Sequence, residues 1–152
     1  MMHEKAKSAH ADVKSLIRDI ENLSKVRVLV MEDDPDHLMV IRRNLNIELE
    51  SQKVEVQLVL SGTVAEFIEN VKRNRLAALV IDIHLGLENG VDLADDLIKQ
   101  GLIKCPIVFI SGVEPTDETK AKIRHLGATF FHKPILANEW TEIVGHIKDS
   151  IR

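Results

Sequence analysis

Five side chains suited to phosphoryl chemistry stand at the ends of separate hydrophobic runs in this chain. Glu32 and Asp33 follow the run 26–31, Asp82 follows 77–81, Ser111 follows 106–110, and Lys133 follows 128–132. Three carboxylates gathered in one small cleft repel one another and raise one another's pKa unless a cation sits among them. Magnesium suits such a cleft, because it takes hard oxygen ligands in an octahedron and keeps several waters. Asp33 and Asp82 fit as direct ligands, Glu32 as the holder of a ligand water, and the backbone carbonyl of His84 as a further oxygen. Asp82 is then the nucleophile that attacks a phosphoryl group and forms an acyl phosphate. Such transfer is mostly positioning and charge neutralisation, which the metal, the ammonium of Lys133 and the hydroxyl of Ser111 supply together.

That chemistry requires the five residues to converge, and the intervening sequence shows how they do. Apolar runs of about five residues that alternate with helix-length segments read as buried parallel strands of an α/β sheet. The pattern predicts strands near 26–31, 54–60, 77–81, 106–110 and 128–132. Helices fall between and after them, near 35–50, 63–74, 90–100, 115–126 and 136–150. Pro35 suits a first helical turn, and Asp34 before it is a helix cap. Ser61, Gly62 and Thr63 break the chain and cap the second helix, while Gly101 and Gly127 suit helix ends. Five βα units give an open, doubly wound parallel sheet, flavodoxin-like, in the order 2-1-3-4-5. Strands one and three are then neighbours where the order reverses, and Glu32, Asp33 and Asp82 meet beyond their carboxyl ends.

Residues 1–25 stand apart from the domain that spans 26–152. Val13, Leu16, Ile17, Ile20 and Leu23 recur at helical spacing among charged residues, which predicts an amphipathic helix with one apolar stripe. The expectation is a homodimer that pairs this stripe with a second copy, the alternative being a stripe docked on its own domain.

Bulk properties bound the remaining choices. The 152 residues, 45% apolar and 29% charged, are those of about one globular domain. A net charge of −4 offers no basic field for nucleic acid or an anionic membrane, so neither is expected as a direct partner. No apolar stretch approaches the roughly 18 residues that cross a bilayer, and no apolar h-region follows Met1 to mark an export signal. Cys105 is the lone cysteine and makes no internal disulfide, which fits a reducing, cytoplasmic setting. Beside Pro106 it reads as a small residue at the edge of the core, not as a nucleophile.

The five residues in this order resemble the receiver domain of two-component response regulators. The likeness runs from about Val26 to Arg152 and rests on Glu32-Asp33, Asp82, Gly90 eight residues beyond it, Ser111 and Lys133-Pro134. By that resemblance Asp82 is the phosphoacceptor, the acidic pair holds magnesium, and Ser111 and Lys133 contact the phosphoryl group. Phe130 stands at the family's aromatic switch position, and the Lys133–Pro134 peptide is the one that is usually cis. The implied donor is a histidine kinase or a histidine phosphotransfer protein, and the implied output is a changed face for a downstream protein partner. The expected role is thus a signalling switch, not an enzyme. Several positions depart from the family pattern. Gly86 stands where many members have proline, His84 replaces a more usual side chain, Ser111 replaces threonine, and Phe130 lacks the hydroxyl of tyrosine.

Two other classes fit less well. An aspartate-nucleophile phosphatase of the haloacid-dehalogenase type wants a second Asp two residues after the nucleophile, and that position is His84. A flavin carrier needs a phosphate-cradling loop after strand one, which Glu32, Asp33 and Asp34 would repel. No output module is expected after Arg152, so the chain reads as a stand-alone regulator or as the receiver of a larger hybrid kinase. His84 as a side chain, His37 and His132 read as loop, structural or surface residues, and nothing around His10 supports a phosphoryl carrier.

Overall fold

The computed structural model describes residues 12–17 and 26–151. Residues 12–17 are helical, with Val13, Leu16 and Ile17 all exposed. Ile20 and Leu23 of the predicted stripe lie outside the described residues.

From Val26 onward the chain alternates strand and helix. The central strands are β1 (Arg27–Met31), β2 (Gln57–Ser61), β3 (Leu76–Asp82), β6 (Ile107–Ser111) and β7 (Thr129–His132). A two-stranded hairpin, β4 (His84–Leu85) and β5 (Glu88–Asn89), follows β3. The helices are α1 (Pro35–Ser51), α2 (Val64–Arg73), α3 (Gly90–Lys99), α4 (Asp117–His125) and α5 (Ala137–Ile151). All neighbours in the central sheet are parallel, in the order β2-β1-β3-β6-β7. This is the predicted doubly wound order, with β6 and β7 as the fourth and fifth strands of the sheet.

The uninterrupted apolar runs follow from burial on both faces. Val28, Val30, Ala78, Val80, Val108 and Ile110 pack under α1 and α5, against Ile41, Leu45, Trp140, Ile143 and Ile147. The alternate residues Leu29, Met31, Leu79, Ile81 and Phe109 pack on the opposite face, under Phe67 and Val71 of α2 and Val91, Ala94 and Leu97 of α3. A period of two thus runs beneath the unbroken hydrophobic pattern. Among the described residues no helix is long and apolar enough to cross a membrane.

Helix starts follow local chemistry. Asp34 is the N-cap of α1, its Oδ1 accepting from the amides of Asp36 at 2.9 Å and His37 at 3.2 Å, with Pro35 opening the first turn. Thr63, Asn89 and Thr116 cap α2, α3 and α4 in the same way. The second strand departs from the predicted 54–60. After α1 the chain turns through Lys53 at φ 56°, and the amide of Val54 closes on the carbonyl of Leu49 at 2.9 Å. Val54 and Val56 still pack on the core, but ladder pairing starts only at Gln57. Cys105 sits at the core's edge, where burial pushes its thiol up to about 11 and makes it a poor nucleophile.

One glycine fixes the path out of β3. The amide of Gly90 donates to the carbonyl of Ile83 at 2.7 Å, and a Cβ at position 90 would lie 2.2 Å from the carbonyl oxygen of Asp82 and 2.9 Å from Cγ2 of Ile81. Gly145, inside α5, has no such neighbour within 4 Å. Gly90→Ala should therefore lower stability by about 1–3 kcal/mol through forced backbone displacement. Gly145→Ala should raise it by about 0.5–1 kcal/mol, because glycine within a helix is entropically costly. Urea unfolding of both variants checks the pair, and equal effects would contradict the packing described.

Candidate functional site

The register of the sheet assembles the site. Met31 pairs with Ile81 across β1 and β3, so Glu32 and Asp82 leave the sheet side by side. Ser111 pairs with His132 across β6 and β7, and the amide of Lys133 donates to the carbonyl of Ser111 at 2.8 Å. Lys133 thereby starts its side chain two strands beyond Asp82 and reaches back over the cleft. The Lys133–Pro134 peptide is cis.

The Lys133 ammonium is shared between two buried carboxyl groups. It donates to Glu32 Oε2 at 2.8 Å and to Asp82 Oδ2, and it contacts His37 Nδ1 at 3.2 Å. Glu32 and Asp82 are almost wholly enclosed, at 1% and 4% exposure. Backbone donors complete their coordination. The amide of His84 donates to Asp82 Oδ1 at 2.8 Å, and the amide of Asp34 to Glu32 Oε1 at 3.1 Å.

Electrostatics divide the two carboxyls. Burial, and then the carboxyl of Asp82 beside it, push Glu32 up to about 8 against the pull of Lys133. Burial also opposes ionisation of Asp82, but its hydrogen bonds with Glu32, Lys133 and the His84 amide outweigh this and hold it below the usual carboxylate range. Burial likewise opposes charge on Lys133, and Asp82 and Glu32 more than compensate, raising its pKa. At neutral pH this arrangement therefore favours an ionised Asp82 and a protonated Glu32.

Other predicted members are placed less centrally. Asp33 is exposed, its Oδ2 lying 4.0 Å from where a Cβ on Gly86 would be. Among the described residues no three carboxylate, imidazole or thiol side chains are gathered closely enough to hold a metal ion. The Lys133 ammonium bridges Glu32 and Asp82 and neutralises the buried pair, while Asp33 stays exposed at the rim. The donor set suits magnesium: its atoms are hard oxygens, and burial beside Asp82 raises the Glu32 carboxyl even with Lys133 in contact, so a further cation would be favoured there. Ser111 is fully buried, and its hydroxyl is turned into its own loop, donating to the carbonyl of Val113 at 2.8 Å. Phe130 is partly buried and meets His132 edge-on, with ring centroids 6.3 Å apart.

Two features of the site were not read from the sequence. The hairpin after Asp82 pairs His84 with Asn89 and turns through Gly86 at φ 63°, a left-handed conformation closed to proline. The run Gly86-Leu87-Glu88-Asn89-Gly90 carried that signal in its two glycines. His37, read as structural or surface, touches Lys133, and no local pattern marks that long-range contact.

Comparison with known proteins agrees with this geometry. The model of the response regulator receiver domain matches residues 28–145. The transcriptional regulatory protein PrrA of Mycobacterium leprae is 27% identical over 130 residues, which cover 86% of this chain and 52% of that protein. The chain therefore spans about half the length of the curated relative it matches. Among solved structures, a response regulator receiver protein from Pseudoalteromonas atlantica superposes with a TM-score of 0.70 at 16% identity, covering 83% of this chain and 99% of that one. A CheY-like receiver domain protein from Methanospirillum hungatei gives 0.64 at 18% identity, covering 84% and 98%. Both likenesses concern the fold.

The shared ammonium has a measurable consequence. Among the described residues Lys133 is the one cation bonded to both carboxyls, so Lys133→Met should lower stability by about 2–4 kcal/mol without divalent ions, near the cost of breaking a buried pair. Adding Glu32→Gln should recover part of that loss, since the orphaned groups then repel less. Urea unfolding of the single and double variants checks this, and additive losses would show that the three groups do not act together.

Proposed function

The chain belongs to the response regulator receiver domain family, and on that premise we propose that it is a phosphorelay switch with Asp82 as phosphoacceptor. The observation that carries this reading is the bridge itself: an ionised, enclosed Asp82 held by Lys133 at the carboxyl end of β3. The donor is a histidine kinase or a histidine phosphotransfer protein. An oxygen of Asp82 attacks phosphorus, a new O–P bond forms as the donor's N–P bond breaks, and the imidazole leaves with the electron pair. The Lys133 ammonium lies beside the attacking carboxylate and can donate to a phosphoryl oxygen, and the Ser111 hydroxyl can turn from Val113 to do the same. Mg2+, when bound by Glu32, Asp33, Asp82 and the carbonyl of His84, supplies the positive charge that the acidic pair and the phosphoryl group share. The product is a changed protein surface, so the chain acts as a switch and not as a turnover catalyst.

Surface features support protein partners. Met39, Val40, Leu87, Val113 and Leu136 are exposed apolar side chains on the helix and loops that surround the cleft. A groove of about 370 Å3 beside Lys133 is lined by Val40, Ile41, Pro134, Ile135 and Trp140. An imidazole donor carried on a helical protein suits such a rim. As Lys133 turns toward the phosphoryl group, the loop after β6 follows Ser111 and leaves room for Phe130 to turn in, altering the face of α4, β7 and α5 for a downstream partner. The protein works in the cytoplasm and through protein contacts, without binding nucleic acid or membrane directly.

Labelling tests the central claim. With acetyl phosphate and Mg2+ the chain should gain one acid-stable, base-labile phosphate, and Asp82→Asn should abolish it. Asp33→Ala should weaken Mg2+ binding by at least about tenfold, or roughly 1.4 kcal/mol. Label that survives in Asp82→Asn would sink the assignment, and unchanged Mg2+ affinity would sink the metal set.

The segment ahead of the domain forms a homodimer in this reading. Val13, Leu16 and Ile17 expose a helical apolar stripe that an isolated short helix does not sustain in water. Sedimentation of the full chain should show a dimer at micromolar concentration, and a chain beginning at Lys25 should sediment as a monomer. Two monomers would refute the pairing.

A further inference from the structure

Lys133 has three N–H protons and no acceptor capacity, and the structure accounts for all three. One goes to Asp82, one to Glu32 Oε2 at 2.8 Å, and one to His37 Nδ1 at 3.2 Å. An ammonium only donates, so His37 Nδ1 is the acceptor in this contact, and its Nε2 lies 4.0 Å from Asp34 Oδ2. The lysine therefore has no donor to spare for a phosphoryl oxygen until one of its partners lets go.

The three partners differ sharply in what release costs. Glu32 and Asp82 are enclosed, and a buried group stripped of its charged partner carries the full desolvation penalty. The His37 side chain is 55% exposed on the first turn of α1, where water can replace the lysine at once. The cheapest exchange is the one at His37. We infer that His37 is a positioning residue that holds the third proton of Lys133 at rest and cedes it to a phosphoryl oxygen on Asp82. The inference rests on the phosphoacceptor reading above and adds to it a contact on α1 that is broken when phosphate arrives. His37 lies three residues past the Asp34 cap, so its release frees a side chain at the start of α1, on the lip of the apolar groove.

Beryllofluoride with Mg2+, a stand-in for the phosphoryl group, tests this on the full chain. The imidazole nitrogen signals are followed by NMR, with His37 assigned by its loss in His37→Asn. On saturation, the Nδ1 signal of His37 should move from its lysine-bonded position to that of a solvent-exposed ring, while His125 and His146 stay. His37→Leu, which offers no acceptor, should bind beryllofluoride about fivefold more tightly, the size of one net hydrogen bond. His37→Asn, whose Oδ1 can take the same proton, should return the affinity toward wild type. A His37 signal that stays put in the saturated complex, or a leucine variant that binds no more tightly, overturns the inference while leaving Asp82 as acceptor. Failure of the wild type to bind the probe at all would instead overturn the reading of the pocket, and this inference with it.

Discussion

Two carboxyl groups at the ends of adjacent parallel strands cannot both be ionised and enclosed without positive charge between them. Everything near the cleft answers that constraint. Lys133 supplies the charge from the end of β7, two strands away from β3, and its amide donates to the carbonyl of Ser111 on the intervening β6. The amides of Asp34 and His84 add fixed dipoles from the two loops that leave β1 and β3. Glu32, pushed up to about 8, and Asp82, held low, then separate into a protonated and an ionised group. The asymmetry leaves Asp82, and not Glu32, as the carboxyl that favours ionisation.

The sheet delivers these groups because it is parallel and reverses its order at β1 and β3. Parallel strands place all their carboxyl ends on one edge, and the reversal opens a gap between helices that lie on opposite faces. Glu32, Asp82, Ser111 and Lys133 come from four strands that are contiguous in the sheet but span about a hundred residues of sequence. Packing below them is dense, with Leu29, Val30, Leu79, Val80, Phe109 and Ile110 all fully buried. A rigid floor allows changes at the cleft to be expressed in the loops above it instead of being absorbed beneath.

Gly86 and Gly90 shape the hairpin after Asp82, one through its positive φ and the other because a Cβ there would collide with the Asp82 carbonyl. The hydroxyl of Ser111 is held by Val113, and His37 closes the third side of Lys133. These last two contacts are polar and are made in a loop or at a helix start. The floor beneath them is apolar. The division matches a molecule that changes its surface while keeping its core.

Much of this was legible from the chain alone. Apolar runs ending in Glu32, Asp82, Ser111 and Lys133 were enough for the sheet order and the convergence of the site, because hydrophobic period and strand-end position are local properties. Asp34 as a cap and Cys105 as an edge residue were legible for the same reason. Tertiary structure decided what local pattern cannot encode. It moved β2 to start at Gln57, because the turn at Lys53 consumes the residues before it. It set Asp33 aside and put the ammonium of Lys133 between Glu32 and Asp82, since the electrostatic cost of enclosing two carboxyls exists only after the strands have come together. And it brought His37 in the first turn of α1 to Lys133 after β7, across a sequence separation of 96 residues, a contact with no signature in either neighbourhood.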